Sequence, residues 1–363
     1  LINKNCETRE VLAERTDPAQ YPHAAAVEQE VLVYDRNGLL AAPAEELVHA
    51  LSAGPGVLVI KGAYPDVSVV DATTAVFEEL MDGQRVEGGG AGDHFAPFGV
   101  NERVWNALEK LAVTAPEVFV DYYANDAIAA IANAWLGPNY QVTSQVNVVN
   151  PGGKPQSGHR DYHLGFLHAE TIARFPEHVQ RLSPVLTLQG AVAHTDMPLE
   201  SGPTMYLPHS QKYVPGYLAM NRPDFQDYFE QHHIQLPLRR GDAAFFNPAV
   251  FHGAGTNRSA DIRRIANLLQ ISSAFGRAME SVDRARISAA IYPALRAHPN
   301  PDAAIAASAE GYAFPTNLDR DAAVGGLTPP SQADLVRQAL AEDWDEARFR
   351  KALDSNTWLH ETH

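Results

Sequence analysis

Gln141-Val142-Thr143-Ser144-Gln145-Val146-Asn147-Val148-Val149, closed by Asn150-Pro151-Gly152-Gly153, is the stretch on which the fold turns. Its β-branched residues, the absence of Gly or Pro inside it and the turn residues after it predict a strand. Gln145 and Asn147 then share one face, because side chains alternate along a strand. Runs of the same texture recur downstream at 185–194, 204–207, 233–238, 243–246, 250–252 and 265–272, separated by Gly, Pro and Asn. About seven or eight such segments predict a closed or sandwiched β-core, a double-stranded β-helix (jelly roll, cupin-like).

Outward from this core the pattern becomes helical. Upstream, Val57-Leu58-Val59-Ile60 reads as a buried strand, and helices are expected over 68–81, 103–111 and 117–136. Downstream, residues 276–363 read as helical, broken at Pro315 and Pro329-Pro330, and 211–231 as a helical insertion within the core. The expected organisation is one domain, mainly β with helical flanks. Residues 1–139 would form an N-terminal strand and helices, 140–275 the jelly roll and 276–363 a C-terminal helical region.

The composition restricts partners. Lys and Arg number 28 against 44 Asp and Glu, a net charge of −16, which disfavours nucleic acid and anionic membranes. Cys6 is the only cysteine, so an intramolecular disulfide and thiolate metal clusters are excluded. No apolar run approaches a membrane span, and the start at Leu1 shows no secretory pattern, so a cytoplasmic location is expected. Gly88-Gly89-Gly90-Ala91-Gly92 lacks the Gly-Lys-Ser/Thr ending of a phosphate cradle and reads as a connecting loop.

Chemistry concentrates in two places. His159-Arg160-Asp161 offers an imidazole and a carboxylate on one strand face, and His252 lies in His252-Gly253-Ala254-Gly255-Thr256-Asn257. Two imidazoles and one carboxylate can fill one face of an octahedral ion and leave the rest open, the ligand set expected of non-haem iron(II) oxygenases. An arginine close by, Arg263 or its neighbour Arg264, would clamp a carboxylate through a two-pronged hydrogen bond. A His-x-Asp pair alone is weak, and His194-Thr195-Asp196 is a second one in the same chain. Strand alternation does not choose between the two arginines.

Order and spacing of these pieces resemble the phytanoyl-CoA dioxygenase family of Fe(II)/2-oxoglutarate-dependent oxygenases. The resemblance runs from His159-Arg160-Asp161 through the acid-and-glycine loop 196–203, Leu207-Pro208-His209-Ser210, Gly241-Asp242 and His252 to Arg263. It implies His159, Asp161 and His252 as iron ligands, Arg263 as the 2-oxoglutarate clamp, and Asp196 as a loop residue. Relatives often carry a hydroxyl two residues after the distal histidine, where this chain has Ala254; Thr256 or Thr204 would supply it instead. An amide on the strand before the triad touches cosubstrate or substrate in related oxygenases, which implies Asn147 for 2-oxoglutarate and Gln145 for substrate. Arg160, Tyr162 and His163 flank the triad and are candidates for substrate contact or for supporting hydrogen bonds.

The resemblance implies Fe(II), 2-oxoglutarate and O2, with succinate and CO2 released as an aliphatic C–H of a small-molecule metabolite is hydroxylated or desaturated. Halogenating relatives lack the carboxylate that Asp161 supplies here. A CoA thioester is suggested by the family name alone, and the acidic balance favours a smaller metabolite. The rival readings are a Zn(II)- or Mn(II)-dependent hydrolase, against which the arginine argues, and a catalytically silent jelly-roll protein that binds a metabolite.

Overall fold

The structure, a computed structural model, describes Val11 and residues 13–86 and 101–362. The Gly88–Gly92 loop and Cys6 lie outside the described residues. Eleven strands are found among the described residues: β1 (Ala26–Glu28), β2 (Val31–Asp35), β3 (Val57–Lys61), β4 (Asn101–Val104), β5 (Gln141–Val149), β6 (Thr187–Ala193), β7 (Met205–Leu207), β8 (Ile234–Gln235), β9 (Ala243–Phe246), β10 (Phe251–Gly253) and β11 (Arg264–Ser272). They form an eight-stranded sheet in the order β1-β2-β3-β9-β6-β11-β5-β4 and a three-stranded sheet, β10-β7-β8. All pairings are antiparallel except β2 with β3.

The large sheet divides its side chains by alternation. Leu58, Ile60, Phe245, Leu188, Leu269 and Val146 point to one face and join the main apolar core, with the helices Val67–Val86, Ala107–Thr114, Pro116–Tyr123 and Asp126–Leu136. The C-terminal helices Arg284–Ala297 and Glu346–His360 extend that core. Val59, Ala244, Ala191, Ala266 and Leu268 point the other way, toward a cavity also lined by Tyr206 of β7 and His252 of β10. Small residues at the centre of this face leave room that large ones would fill.

Two expectations need correction. Helix outweighs strand, 44% against 17%, so "mainly β" does not describe the chain; a large mixed sheet with extensive helices does. The short helices Ala169–Ile172 and Glu177–Val185, for which no helix was expected, contribute to the difference, and the second takes in Val185, expected as the start of a strand. Residues 101–104, expected in part as the start of a helix at 103, pair with β5 as an edge strand, Arg103 opposite Asn147. Tertiary pairing outweighs propensity here. The helical insertion is present as Gly216–Ala219 and Pro223–His232.

Candidate metal centre and cavity

His159 and His252 meet through their backbones before their side chains meet. The amide of each donates to the carbonyl of the other, at 2.9 and 3.1 Å, and the Asp161 amide donates to Pro248 O at 3.2 Å. The two imidazoles and the Asp161 carboxylate thereby converge: His159 Nε2 lies 3.6 Å from Oδ1 and His252 Nε2 3.5 Å from Oδ2. Among the described residues this trio is the group of His, Cys, Asp and Glu placed to hold a metal, with one donor atom from each within 4.8 Å of the others.

Backbone carbonyls set the tautomers. His159 Nδ1 faces Ser157 O at 2.8 Å and His252 Nδ1 faces Val250 O at 3.0 Å. A carbonyl only accepts, so each Nδ1 carries the hydrogen and each Nε2 lone pair is free for an ion. Burial lowers the His159 pKa, against the pull of Asp161, which also favours the neutral ligand form. Burial alone would raise the Asp161 carboxyl. The imidazoles of His159 and His252 and the Gln189 amide outweigh it and hold the group ionised, well below the usual carboxylate range. Gln189 Nε2 donates to Asp161 Oδ2 at 2.5 Å. The donor set, its protonation and its open side fit an octahedral Fe(II).

The second His-x-Asp is built differently. His194 is buried on the helical face of the sheet, with Nε2 2.9 Å from Tyr122 Oη, Nδ1 2.8 Å from Thr74 Oγ1, and Phe77 packed on its ring. Asp196 accepts from the Arg240 amide at 2.8 Å. Both are structural hydrogen-bonding groups, and neither faces the cavity.

The arginine expectation is corrected by strand alternation. Arg263 turns outward, pairs with Glu78 and reaches Glu102 at 3.5 Å. Arg264, opening β11 opposite Val149, turns inward and lines the same cavity as the triad. It is 6% exposed, and Nη1 donates to Ser201 O at 3.2 Å. No carboxylate among the described residues pairs with it, and burial lowers its pKa to about 10.

The other expected residues separate cleanly. Asn147 and Gln145 line the cavity, as does Thr204, whereas Thr256 lies outside its lining. Arg160 is not at the cavity. It is buried, donates to Ser210 O and Tyr213 O at 2.6 and 2.8 Å, and packs over Tyr217 and Phe251. Gly216 leaves the space for it, since a Cβ there would come within 1.9 Å of the guanidinium carbon. Tyr162 also points away, its hydroxyl 3.1 Å from Ser272 Oγ, and its φ of 64° makes the sharp turn after Asp161. A bulky residue in the left-handed region costs on the order of 1–3 kcal/mol, held here by burial on all sides. His163 Nδ1 meets Ser183 Oγ at 3.1 Å, outside the cavity lining.

Several cavity residues had no sequence motif to mark them. Arg103 and Trp105 enter from the edge strand β4 and the turn after it, and Gln189 and Gln270 from β6 and β11. The available signal was a glutamine at an inward position of an otherwise apolar strand, Thr187–Ala193. The cavity, about 630 Å³, is of the size that takes a small molecule.

Comparison with known proteins identifies the family. The family model for phytanoyl-CoA dioxygenase (PhyH) matches residues 53–265, more than half of the chain. A dioxygenase of Talaromyces verruculosus, cdmD, is 32% identical over 117 residues, 32% of this chain; the match spans about a third of that protein's length (34%). Among solved structures, the non-haem α-ketoglutarate-dependent carbocyclase SnoK of nogalamycin biosynthesis is 22% identical with a TM-score of 0.47, over 65% of this chain and 86% of that one. HygX of Streptomyces hygroscopicus, with nickel and 2-oxoglutarate bound, is 16% identical with a TM-score of 0.44, over 67% and 92%. Iron(II), 2-oxoglutarate and dioxygen serve this family, and the His-Asp-His donor set here fits the metal. The chain belongs to the phytanoyl-CoA dioxygenase family.

Proposed function

We propose that this protein is an Fe(II)/2-oxoglutarate-dependent oxygenase that oxidises an aliphatic C–H of a small-molecule metabolite. His159, Asp161 and His252 would hold the metal, and Arg264 rather than Arg263 would clamp the far carboxylate of 2-oxoglutarate. The observation that carries the reading is Arg264: a buried cation without a carboxylate partner, in the cavity that holds the triad. Leaving such a charge buried is costly unless a ligand supplies the anion. Asn147, whose Oδ1 has no partner among the described residues, and Thr204 are the further cosubstrate contacts in this reading. The opposed sheets around the cavity support a jelly-roll description of the core.

Bound iron and 2-oxoglutarate supply a two-electron oxidation by O2, with succinate and CO2 as coproducts. The protein's part is positional. The backbone bridge fixes the imidazoles, Gln189 fixes the carboxylate, and the cavity walls hold the substrate near the open side of the metal. Asp161 would supply the carboxylate that halogenating relatives lack, so hydroxylated or dehydrogenated products are expected even in high chloride. A hydrolase using Zn(II) or Mn(II) has no use for a buried arginine clamp. The test is succinate release from 2-oxoglutarate with Fe(II) and ascorbate. Turnover that Arg264→Ala abolishes at low 2-oxoglutarate supports the reading. Absence of turnover, together with failure of iron and 2-oxoglutarate to bind, would overturn it.

A further inference from the structure

The cavity floor carries carboxamides whose hydrogen bonding is incomplete. Gln189 and Gln270 stand directly opposite each other on β6 and β11, 5% and 7% exposed, and both line the cavity. The Oε1 atom of each has no partner among the described residues. The Gln189 orientation is chemically fixed, because the Asp161 carboxylate at 2.5 Å accepts only from the NH2 end. Its carbonyl end is therefore a true acceptor. Gln145, 2% exposed, is fixed in the opposite sense: Arg103 Nη1 donates to Oε1 at 2.7 Å, which leaves its unpartnered Nε2 as a donor. Gln145 faces Leu268, one diagonal step from Gln270 on the same side of the sheet.

Distance separates Gln270 from Arg264, the clamp end of the cosubstrate site. Gln270 lies six residues along β11 from Arg264, roughly 20 Å at about 3.3 Å per residue. A five-carbon diacid anchored at Arg264 does not extend that far. Unmade hydrogen bonds to buried amides are costly, and a ligand that completes them gains what the empty site lacks. Amides carry no net charge, and an anion at Gln189 Oε1 would also face the Asp161 carboxylate.

We propose that Gln189 and Gln270 dock a hydrogen-bond donor of the substrate, a hydroxyl or N–H on an uncharged ring or chain, beside the metal carboxylate, with Gln145 donating to a second oxygen. The inference rests on the oxygenase reading and narrows it: the substrate is multiply oxygenated, the group it presents beside the metal carboxylate is uncharged, and the carbon oxidised lies close to a hydroxyl-bearing one. An anionic group does not fit beside Gln189, whose own partner is the Asp161 carboxylate.

The test uses the full chain with Fe(II) and 2-oxoglutarate under argon, where the visible charge-transfer band of the bound pair reports the metal surroundings. The probes are cis-cyclohexane-1,2-diol, its dimethyl ether, which accepts but does not donate, and cyclohexanecarboxylate. The diol is expected to perturb the band with a dissociation constant at least about tenfold below those of the other two. Gln270→Met, which touches no metal ligand, is expected to bring diol and ether to within about twofold while the band is retained. Gln189→Met should do the same and also weaken iron binding. Equal binding of diol and ether to the unmodified protein, or a diol preference that survives Gln270→Met and Gln189→Met, would overturn the proposal. Failure of the band to form with iron and 2-oxoglutarate alone is a separate outcome. It rejects the oxygenase reading and this inference with it.

Discussion

Arg263 and Arg264 are chain neighbours that serve opposite sides of the protein. Arg263 ties the edge strand β4 to the helix Val67–Val86 through Glu102 and Glu78, whereas Arg264 is buried in the cavity that the triad also lines. Arg264→Ala is therefore expected to weaken 2-oxoglutarate binding by about 10- to 150-fold, the equivalent of about 1.5–3 kcal/mol for a charged hydrogen bond. Arg263→Ala should leave that affinity within about twofold and affect only thermal stability, since a partly exposed pair contributes about 1 kcal/mol or less. Calorimetric titration of the iron-loaded variants checks both. The reverse ranking would return the clamp to Arg263.

Removal of any one donor of the triad should abolish turnover without unfolding the chain. His159→Ala, Asp161→Ala and His252→Ala are each expected to lose stoichiometric Fe(II), read by metal analysis after desalting, with unchanged circular dichroism. His194→Gln and Asp196→Ala should retain iron, because neither side chain reaches the cavity. Iron loss in those two and not in His159→Ala would show that the other His-x-Asp holds the metal.

Acid sensitivity should trace in part to His194. Burial holds its pKa at about 3, below the usual histidine value of 6.5, among Thr74, Tyr122 and Phe77. The unfolded chain takes up the proton first. The stabilisation from a neutral His194 is thus complete above about pH 6.5 and is lost as pH falls toward 3, at up to about 1.4 kcal/mol per unit. His209, lowered to about 4 chiefly by burial, adds to the same slope. Urea unfolding at pH 7.5, 6.5 and 5.5 should give a flatter pH dependence for His194→Gln than for the unmodified protein. Parallel slopes would refute the assignment.

Gly216 is required by Arg160 and not by any turn. A methyl group at 216 collides with the guanidinium, so Gly216→Ala is expected to cost about 1–3 kcal/mol by overpacking. Arg160→Met should cost a comparable amount, because the Ser210 and Tyr213 carbonyls lose their buried donor. Both variants should keep wild-type 2-oxoglutarate affinity when assayed well below their melting temperatures. A selective loss of substrate turnover in Arg160→Met at full stability would restore it to the site.

The triad was legible because its residue types are chemically restrictive and its order along the chain is distinctive. Strands β5, β9 and β11 were legible from alternation and bounding turns, within a residue at either end. What sequence left open was orientation. Nothing in Arg263-Arg264 tells which side chain enters the core until the register with β5 places Arg264 opposite Val149. Arg160 lies between two residues that face the cavity, yet its own side chain turns the other way and is buried over Tyr217 and Phe251. Arg103 and Gln189 were invisible for a further reason. Each is defined as a cavity residue by pairing with a strand at least 40 residues away, Asn147 for Arg103 and Phe246 for Gln189.

The two-way amide bridge between His159 and His252 has a consequence for how the protein acquires its metal. Main-chain hydrogen bonds, which need no ion, already set the spacing of the two imidazoles. The ordering entropy of the ligands is thus met by folding, unlike in small metal-nucleated domains, where binding and folding are one event. Chelation should strip the ion and leave a vacant, shaped socket that reloads quickly, and competition among divalent ions should be decided by coordination preference and supply, not by which ion helps the chain to fold.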